Sequence, residues 1–272
     1  MKRFGRLAGR IAVAIPGIGL FVLVAHSPSI VNVVFFSLLS SLAAVEAVRL
    51  TGPGGAGLQV MAALLTGGAA AVVAMADPRV AVALVMIPGP LVSLMRILKN
   101  GAEGAGRSAA GLTGIMMLLS VSFGLVARLS VDYESPWIVF IPLSICWLND
   151  TFAYFIGIAF GKHKMAPSIS PAKSWEGFFA GLAGATAGAV LVGGLLVGFP
   201  LPPMVALGFV GGLAAVAGDL LESALKRDAS VKDSGRILAG HGGVLDRFDS
   251  LLAVAPVVWL FMELGKEWIG CG

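Results

Sequence analysis

The sequence predicts an all-α fold, a polytopic integral membrane helix bundle of about nine transmembrane helices with a cytoplasmic N-terminus. Three observations lead there. Of the 272 residues, 57% are apolar and only 12% are charged, against roughly 45–50% and about 25% in a soluble domain. The mean hydropathy is +0.93. Apolar runs close to the roughly 20 residues that cross a hydrocarbon core of about 30 Å recur along the chain, with basic residues sorted into alternate breaks. The same composition excludes intrinsic disorder. The 37 glycines follow no G-X-Y period, which excludes collagen. The net charge of +4 comes without a basic groove interleaved with aromatics, so no nucleic-acid partner is expected. Cys146 lies in an apolar run and Cys271 is next to last, with no CxxC metal spacing.

Taken in order, the candidate spans lie near 11–25, 30–48, 58–76, 79–98, 108–128, 136–160, 175–198, 202–225 and 248–265. The first is short and follows Lys2, Arg3, Arg6 and Arg10 in the manner of a secretory signal. No clear small-x-small cleavage site precedes the next run, so it is read as an uncleaved span. Pro16, Pro88, Pro90 and Pro142 fall inside runs, where they are expected to kink or break helices. Gly177 with Gly181, and Gly184 with Gly188, are spaced for close approach of two helices, a packing role. No internal repeat long enough for inverted transporter halves is present. Residues 1–130 and 131–272 are read as two helix groups of one integrated membrane domain, the second carrying the chemistry.

Charge placement tests the span count independently, because cytoplasmic loops carry the excess of lysine and arginine. With nine spans and the N-terminus inside, sixteen of the nineteen basic residues fall inside, and only Arg79, Arg128 and Lys266 fall outside. A wrong count shifts the alternation and spoils the asymmetry. Trp137 and Trp268 then sit at the outer interface, as an aromatic belt requires.

Most of the polar residues suited to chemistry gather in two inside loops and the spans beside them. The first stretch holds Asn149-Asp150, Gly161-Lys162-His163-Lys164, Ser170-Pro171-Ala172-Lys173-Ser174 and Glu176-Gly177. The second runs from Gly218-Asp219 through Glu222-Ser223, Lys226-Arg227, Lys232-Asp233 and His241-Gly242-Gly243 to Asp246-Arg247 and Asp249. An ionised carboxylate facing lipid costs about 2.5–3.5 kcal/mol at the bilayer centre, so Asp219 must face the bundle interior or a bound cation. At helical spacing Asp219, Glu222 or Ser223, and Lys226 share one face. An intramembrane ion-pair ladder explains that face as well as a cation site does. Asp150 is expected to be a second buried carboxylate, and Asp246 with Asp249 adds two more where the last span begins.

Carboxylates among lysines, without an acyl-transfer signature, suit metal-assisted phosphoryl or nucleotidyl transfer. Mg²⁺ takes one or two carboxylates and completes its shell with water and substrate phosphates. A second cation fits the same acid-rich set, since two metals can hold the attacking and leaving oxygens. Lysine and arginine neutralise the remaining phosphate oxygens. Gly242 and Gly243 permit close approach of backbone amides to a phosphate, although a plain turn explains His-Gly-Gly equally well. Lys162 and Lys164 read either as substrate-binding or as a juxtamembrane patch for anionic lipid. Ser223 and His241 lack a G-x-S-x-G frame, and no GxxxxGK[ST] or HExxH motif is present. His26 is read as a solvated turn residue.

The second stretch, Ser223-Ala-Leu-Lys226-Arg227, then Lys232-Asp233, then His241-Gly-Gly-Val-Leu-Asp246-Arg247-Phe-Asp249, resembles the signature of the phosphatidate cytidylyltransferases, also called CDP-diacylglycerol synthases. The upstream stretch is similar to that family's aspartate before Ala-Tyr, Gly-Lys-His-Lys, Ser-Pro-x-Lys-Ser and Glu-Gly. Together they cover roughly residues 149–249, and the N-terminal half matches only in being hydrophobic. One departure is Ala239, where the family usually has proline; no reactive group is lost by it.

The resemblance implies that CTP and phosphatidic acid give CDP-diacylglycerol and pyrophosphate, with magnesium, at the cytoplasmic face of a bacterial inner membrane. It implies metal-ligand roles for Asp219, Asp246 and Asp249, with Asp150 a further candidate. Lys173, Lys226, Arg227 and Lys232 are implied for the phosphates, and His241, Gly242 and Gly243 for the nucleotide loop. Lys162, Lys164, Ser170, Ser223 and Arg247 complete the expected substrate-binding set. The reading allows a homodimer. Two rivals stay open at this point: a CTP-dependent kinase of a polyprenol or other lipid alcohol, and a transporter of an anionic solute.

Overall fold

Proline and glycine at the ends of the apolar runs decide where the helices begin and stop. The computed structural model of the chain describes residues 16–52, 54–101, 104–235 and 242–269, with side chains to residue 267. Helix α1 covers Pro16–Ala25 and α2 covers Ser29–Leu50, entered from Pro28. Helix α3 spans Ala56–Met75. Asp77 caps α4 (Pro78–Val85) by accepting the Arg79 N–H at 2.8 Å, and Pro78 stands where its missing N–H costs nothing. The run predicted near 79–98 is broken ahead of Pro88, and α5 (Pro88–Asn100) restarts there, because proline cannot donate to the preceding turn. Helix α6 spans Ala105–Asp132. Pro142 does not kink α7 (Phe140–Phe160) as expected; it lies in the first turn, where no intrahelical donor is needed.

A short antiparallel hairpin, β1 (Lys164–Ala166) and β2 (Ser170–Ser174), interrupts the all-helical plan where the sequence suggested only a loop. The Ser174 hydroxyl then accepts the Gly177 N–H at 3.2 Å and starts α8 (Trp175–Ala189). Helix α8 continues as a π-helix over Val190–Val197 and stops at Gly198, whose φ is +92°. Helix α9 spans Leu201–Asp228. The four-residue α10 (Leu245–Phe248), α11 (Leu251–Leu264) and α12 (Lys266–Ile269) complete the described chain.

Among the described residues, seven helical segments are long and apolar enough to cross a membrane, with α4 and α5 counted together, and α1 and α11 are shorter apolar helices. The chain is a multi-pass membrane protein. Its interior is built where α2, α3, α6, α7, α9 and α11 meet, around Phe36, Phe123, Met116, Ile141 and Leu207. The exterior is apolar too: Leu64, Leu98 and Ile158 are each 70% exposed or more, a surface suited to lipid rather than water. Charges are sorted to two ends. At one end Arg128 donates to the Ala76 carbonyl at 2.7 Å, near the Asp77 cap, while His26 packs its ring against Trp137. At the other, Arg96 donates to the Val48 carbonyl at 2.7 Å and Arg49 donates to Gln59. Lys2, Arg3, Arg6, Arg10 and the Trp268 side chain lie outside the described residues.

The glycine spacing of α8 has the packing role expected of it. A Cβ on Gly184 would lie 2.5 Å from the Leu148 carbonyl oxygen, and one on Gly188 would lie 2.7 Å from that of Ser144. Helix α7 therefore rests its backbone on α8, and no larger residue fits without separating the pair. Gly184→Val is expected to cost about 3 kcal/mol, read as a fall in the thermal midpoint in detergent. Gly114→Ala is the control, because nothing lies within 4 Å of its Cβ position; equal midpoints for the two variants would refute the packing role.

Candidate active site

One face of α9 carries the polar residues in helical register. Asp219 accepts the Ser223 hydroxyl at 3.2 Å through Oδ1, while its Oδ2 lies 2.7 Å from the Lys173 ammonium on β2. One turn further, Lys226 lies between two acids, Glu222 on its own helix and Asp246 on α10, the latter at 2.9 Å. The side chains of Lys226, Glu222 and Asp246 are 12%, 3% and 8% exposed. The ladder foreseen on this face exists, and it extends to a second helix and a strand that the spacing of α9 did not predict.

Asp246 is the most fully engaged carboxylate. Besides Lys226 it accepts the Ser234 N–H on both oxygens, at 3.1 and 2.9 Å, and the Gly243 N–H at 2.8 Å. Burial alone would raise its pKa, but the Gly243 amide, the Lys226 ammonium and the Ser234 amide hold it below the ordinary carboxylate value. The Gly243 amide expected for a phosphate is thus already given to Asp246. Gly242, at φ +80°, supplies the turn. His241 and Ala239 lie outside the described residues.

Asp249 sits in the turn between α10 and α11 and accepts the Ser250 N–H at 2.6 Å. Its turn packs against α9 because Gly218 has no side chain: a Cβ there would lie 2.8 Å from the Asp249 carbonyl oxygen. Asp249 feels the like charges of Asp219, Glu222 and Asp150. Asp150 is exposed rather than buried, since the last three turns of α7 turn much of their surface away from the bundle. It accepts from the neighbouring Asn149 amide at 3.3 Å and still lies within electrostatic reach of Asp219 and Lys173.

The remaining candidates form a rim. Arg227 is exposed and tied to protein carbonyls, those of Ile169 in the hairpin and Val231, each at 3.3 Å. It joins α9 to the hairpin turn. Lys162, Lys164, Lys232 and Arg247 are exposed, and Ser170 is half-buried in β2. His163 accompanies them, its Nδ1 at 2.7 Å from Glu176 in the first turn of α8. Among the described residues, no three acidic, histidine or cysteine side chains are arranged as a metal-holding group. Asp219, Asp249 and Asp150 nevertheless share one field of like charge that a cation would relieve. Asp246 enters such a set only by releasing Lys226.

Sequence reasoning missed Glu46. This carboxylate of α2 is wholly buried and accepts the Val244 N–H at 3.1 Å and the Leu245 N–H at 2.8 Å. A signal was available: it is the one acidic residue in the run near 30–48, and an ionisable residue inside a span is a functional candidate by default.

The geometry defines a polytopic membrane protein whose acids and lysines converge at one end of α9. The chain belongs to the Cytidylyltransferase family, which it matches over residues 8–265. It is 35% identical over 177 residues to a protein of Mycobacterium bovis named phosphatidate cytidylyltransferase, covering 63% of this chain and 57% of that one. A Brucella abortus protein of the same name is 45% identical over 187 residues, 67% of this chain and 65% of its own length. The chain thus aligns with less than two thirds of the length of these relatives.

The lysine between two acids sets a testable hierarchy. Lys226→Met leaves Glu222 and Asp246 buried without their cation and is expected to cost about 3–5 kcal/mol. Glu222→Gln keeps the Lys226–Asp246 pair and is expected to cost about 1 kcal/mol. Thermal unfolding in detergent compares them, and a Glu222→Gln loss as large as that of Lys226→Met would contradict the shared-cation geometry.

Proposed function

We propose that the chain is a phosphatidate cytidylyltransferase, moving the CMP unit of CTP onto phosphatidic acid to give CDP-diacylglycerol and pyrophosphate. The observation that carries this reading is the convergence of Lys173, Asp219, Lys226, Asp246 and Asp249 at one end of an otherwise apolar bundle. Family membership and the names of the relatives support it. The charge sorting supports placing the site at the cytoplasmic face of a bacterial inner membrane.

The chemistry asks little of a proton-transfer residue. A phosphate monoester is anionic at neutral pH, so one of its oxygens attacks the α-phosphorus directly, the bond to the β-phosphate bridging oxygen breaks, and pyrophosphate leaves with that electron pair. Positioning and charge neutralisation then supply the catalysis. Lys173 and Lys226 come from different elements and meet anionic oxygens from two sides. Lys162, Lys164, Lys232, Arg227 and Arg247 give the rim the positive field that gathers CTP. Asp219 and Asp249, with Asp150, are the residues that would hold Mg²⁺ and any second cation, which would supply further neutralisation of the phosphates.

CTP labelled separately at the α and γ positions tests the reading with purified protein and phosphatidic acid. Label from the α position is expected in the lipid product; lipid carrying only γ label would assign the protein to lipid kinases instead. Asp246→Asn is expected to abolish turnover in protein that still inserts, because an amide cannot accept from Lys226, Ser234 and Gly243 together. Normal turnover by that variant at saturating magnesium would remove Asp246 from the site.

A further inference from the structure

The N-terminal helices hold a residue that the reaction chemistry does not use. Glu46 lies in an apolar span, has no exposed surface, and has no counter-charge among the described residues; backbone amides meet it instead. Those amides belong to Val244 and Leu245, immediately before Asp246. The Ser234 hydroxyl makes a longer contact with the same carboxylate, at 3.5 Å. Ser234 also gives its N–H to Asp246. Two carboxylates, one on α2 and one on α10, therefore share the same short pieces of chain.

The glycines follow the same logic. A Cβ on Gly243 would have Glu46 atoms as its three nearest neighbours, all closer than real Cβ contacts allow, and one on Gly235 would meet two Glu46 atoms as closely. Gly243 does not have a positive φ, so the glycine is needed there for space and not for conformation. The Glu46 carboxylate cannot swing aside cheaply, since both of its oxygens are held by backbone donors that would be left buried without a partner.

We infer that Glu46 is a positioning residue for the site: it fixes the turn Gly243–Leu245, and through that turn the Asp246–Lys226 pair. The inference rests on the cytidylyltransferase reading for its kinetic consequence and on the contacts alone for its structural one. It makes the N-terminal half part of the site's precision.

The experiment uses the full-length chain in detergent or nanodiscs. In Glu46→Gln one amide acceptor is replaced by a donor, and hydrogen exchange at Val244 and Leu245 is expected to rise about tenfold, the equivalent of one charge-assisted hydrogen bond. The kcat is expected to fall by about tenfold while the KM for each substrate stays within about twofold. Gly243→Ala, harmful alone, is expected to add little to Glu46→Ala, because the atoms it collides with are then gone. Unchanged exchange in Glu46→Gln, or additive losses in the double variant, would overturn the inference. So would an unchanged kcat in Glu46→Gln. Should the wild-type protein transfer no label from CTP, the functional reading falls by itself, and exchange with thermal melts of the double variant still decides the role of Glu46.

Discussion

The sharing of one ammonium between two carboxylates, Lys226 between Glu222 and Asp246, is the constraint around which the polar end of this bundle is organised. In an apolar interior an unpaired charge costs several kcal/mol, so each of these groups fixes the position of the others. Asp246 then spends its remaining acceptor capacity on the backbone of Ser234 and Gly243. A side-chain ion pair thereby becomes the anchor of a stretch of main chain. Glu46 repeats the device from the opposite side with two further amides. The helix that carries Asp246 is only four residues long and does not order that stretch alone, so α2 and α9 both contribute.

The surrounding scaffold serves this arrangement through close approach. Gly218 admits the turn carrying Asp249 against α9, next to Asp219. Glycines 181, 184 and 188 seat α7 on α8, and the hairpin between these two helices delivers Lys173 to Asp219. Small residues are thus placed where two backbones must meet for charged side chains from separate elements to touch. Large apolar side chains are left to face either the core or the lipid.

Much of this was legible because the signals are local. Hydrophobic runs and basic breaks located the helices, Pro88 marked the division between α4 and α5, and the i, i+3/i+4 spacing put Asp219, Ser223 and Lys226 on one face. What escaped was non-local or depended on solvent geometry. The hairpin at 164–174 is too short for an alternating pattern to stand out. Asp150 was expected to be buried from its place in an apolar run, but a run does not reveal which end of its helix leaves the bundle. Glu46 is separated from Val244 by 198 residues, so no spacing rule connects them. An isolated acid in an apolar segment nevertheless marks a demand for partners, and that mark was present.

The pairing pattern also bears on how a site for two anionic substrates remains folded before either arrives. Lys173 and Lys226 would repel each other and lose solvation if they waited unpaired near the membrane; Asp219, Glu222 and Asp246 would do the same. Pairing them with one another leaves neither lysine without a counter-charge. On the proposed reading, phosphate oxygens take over the lysines while the acids they leave become free for cations, so each charge exchanges one partner for another and none is exposed to acyl chains in between. Such an exchange needs no residue to be protonated or deprotonated, in keeping with a nucleophile that is already an anion. It also explains why acids and lysines are present together at a site whose substrates are both negative: the acids are the resting partners of the cations that bind them.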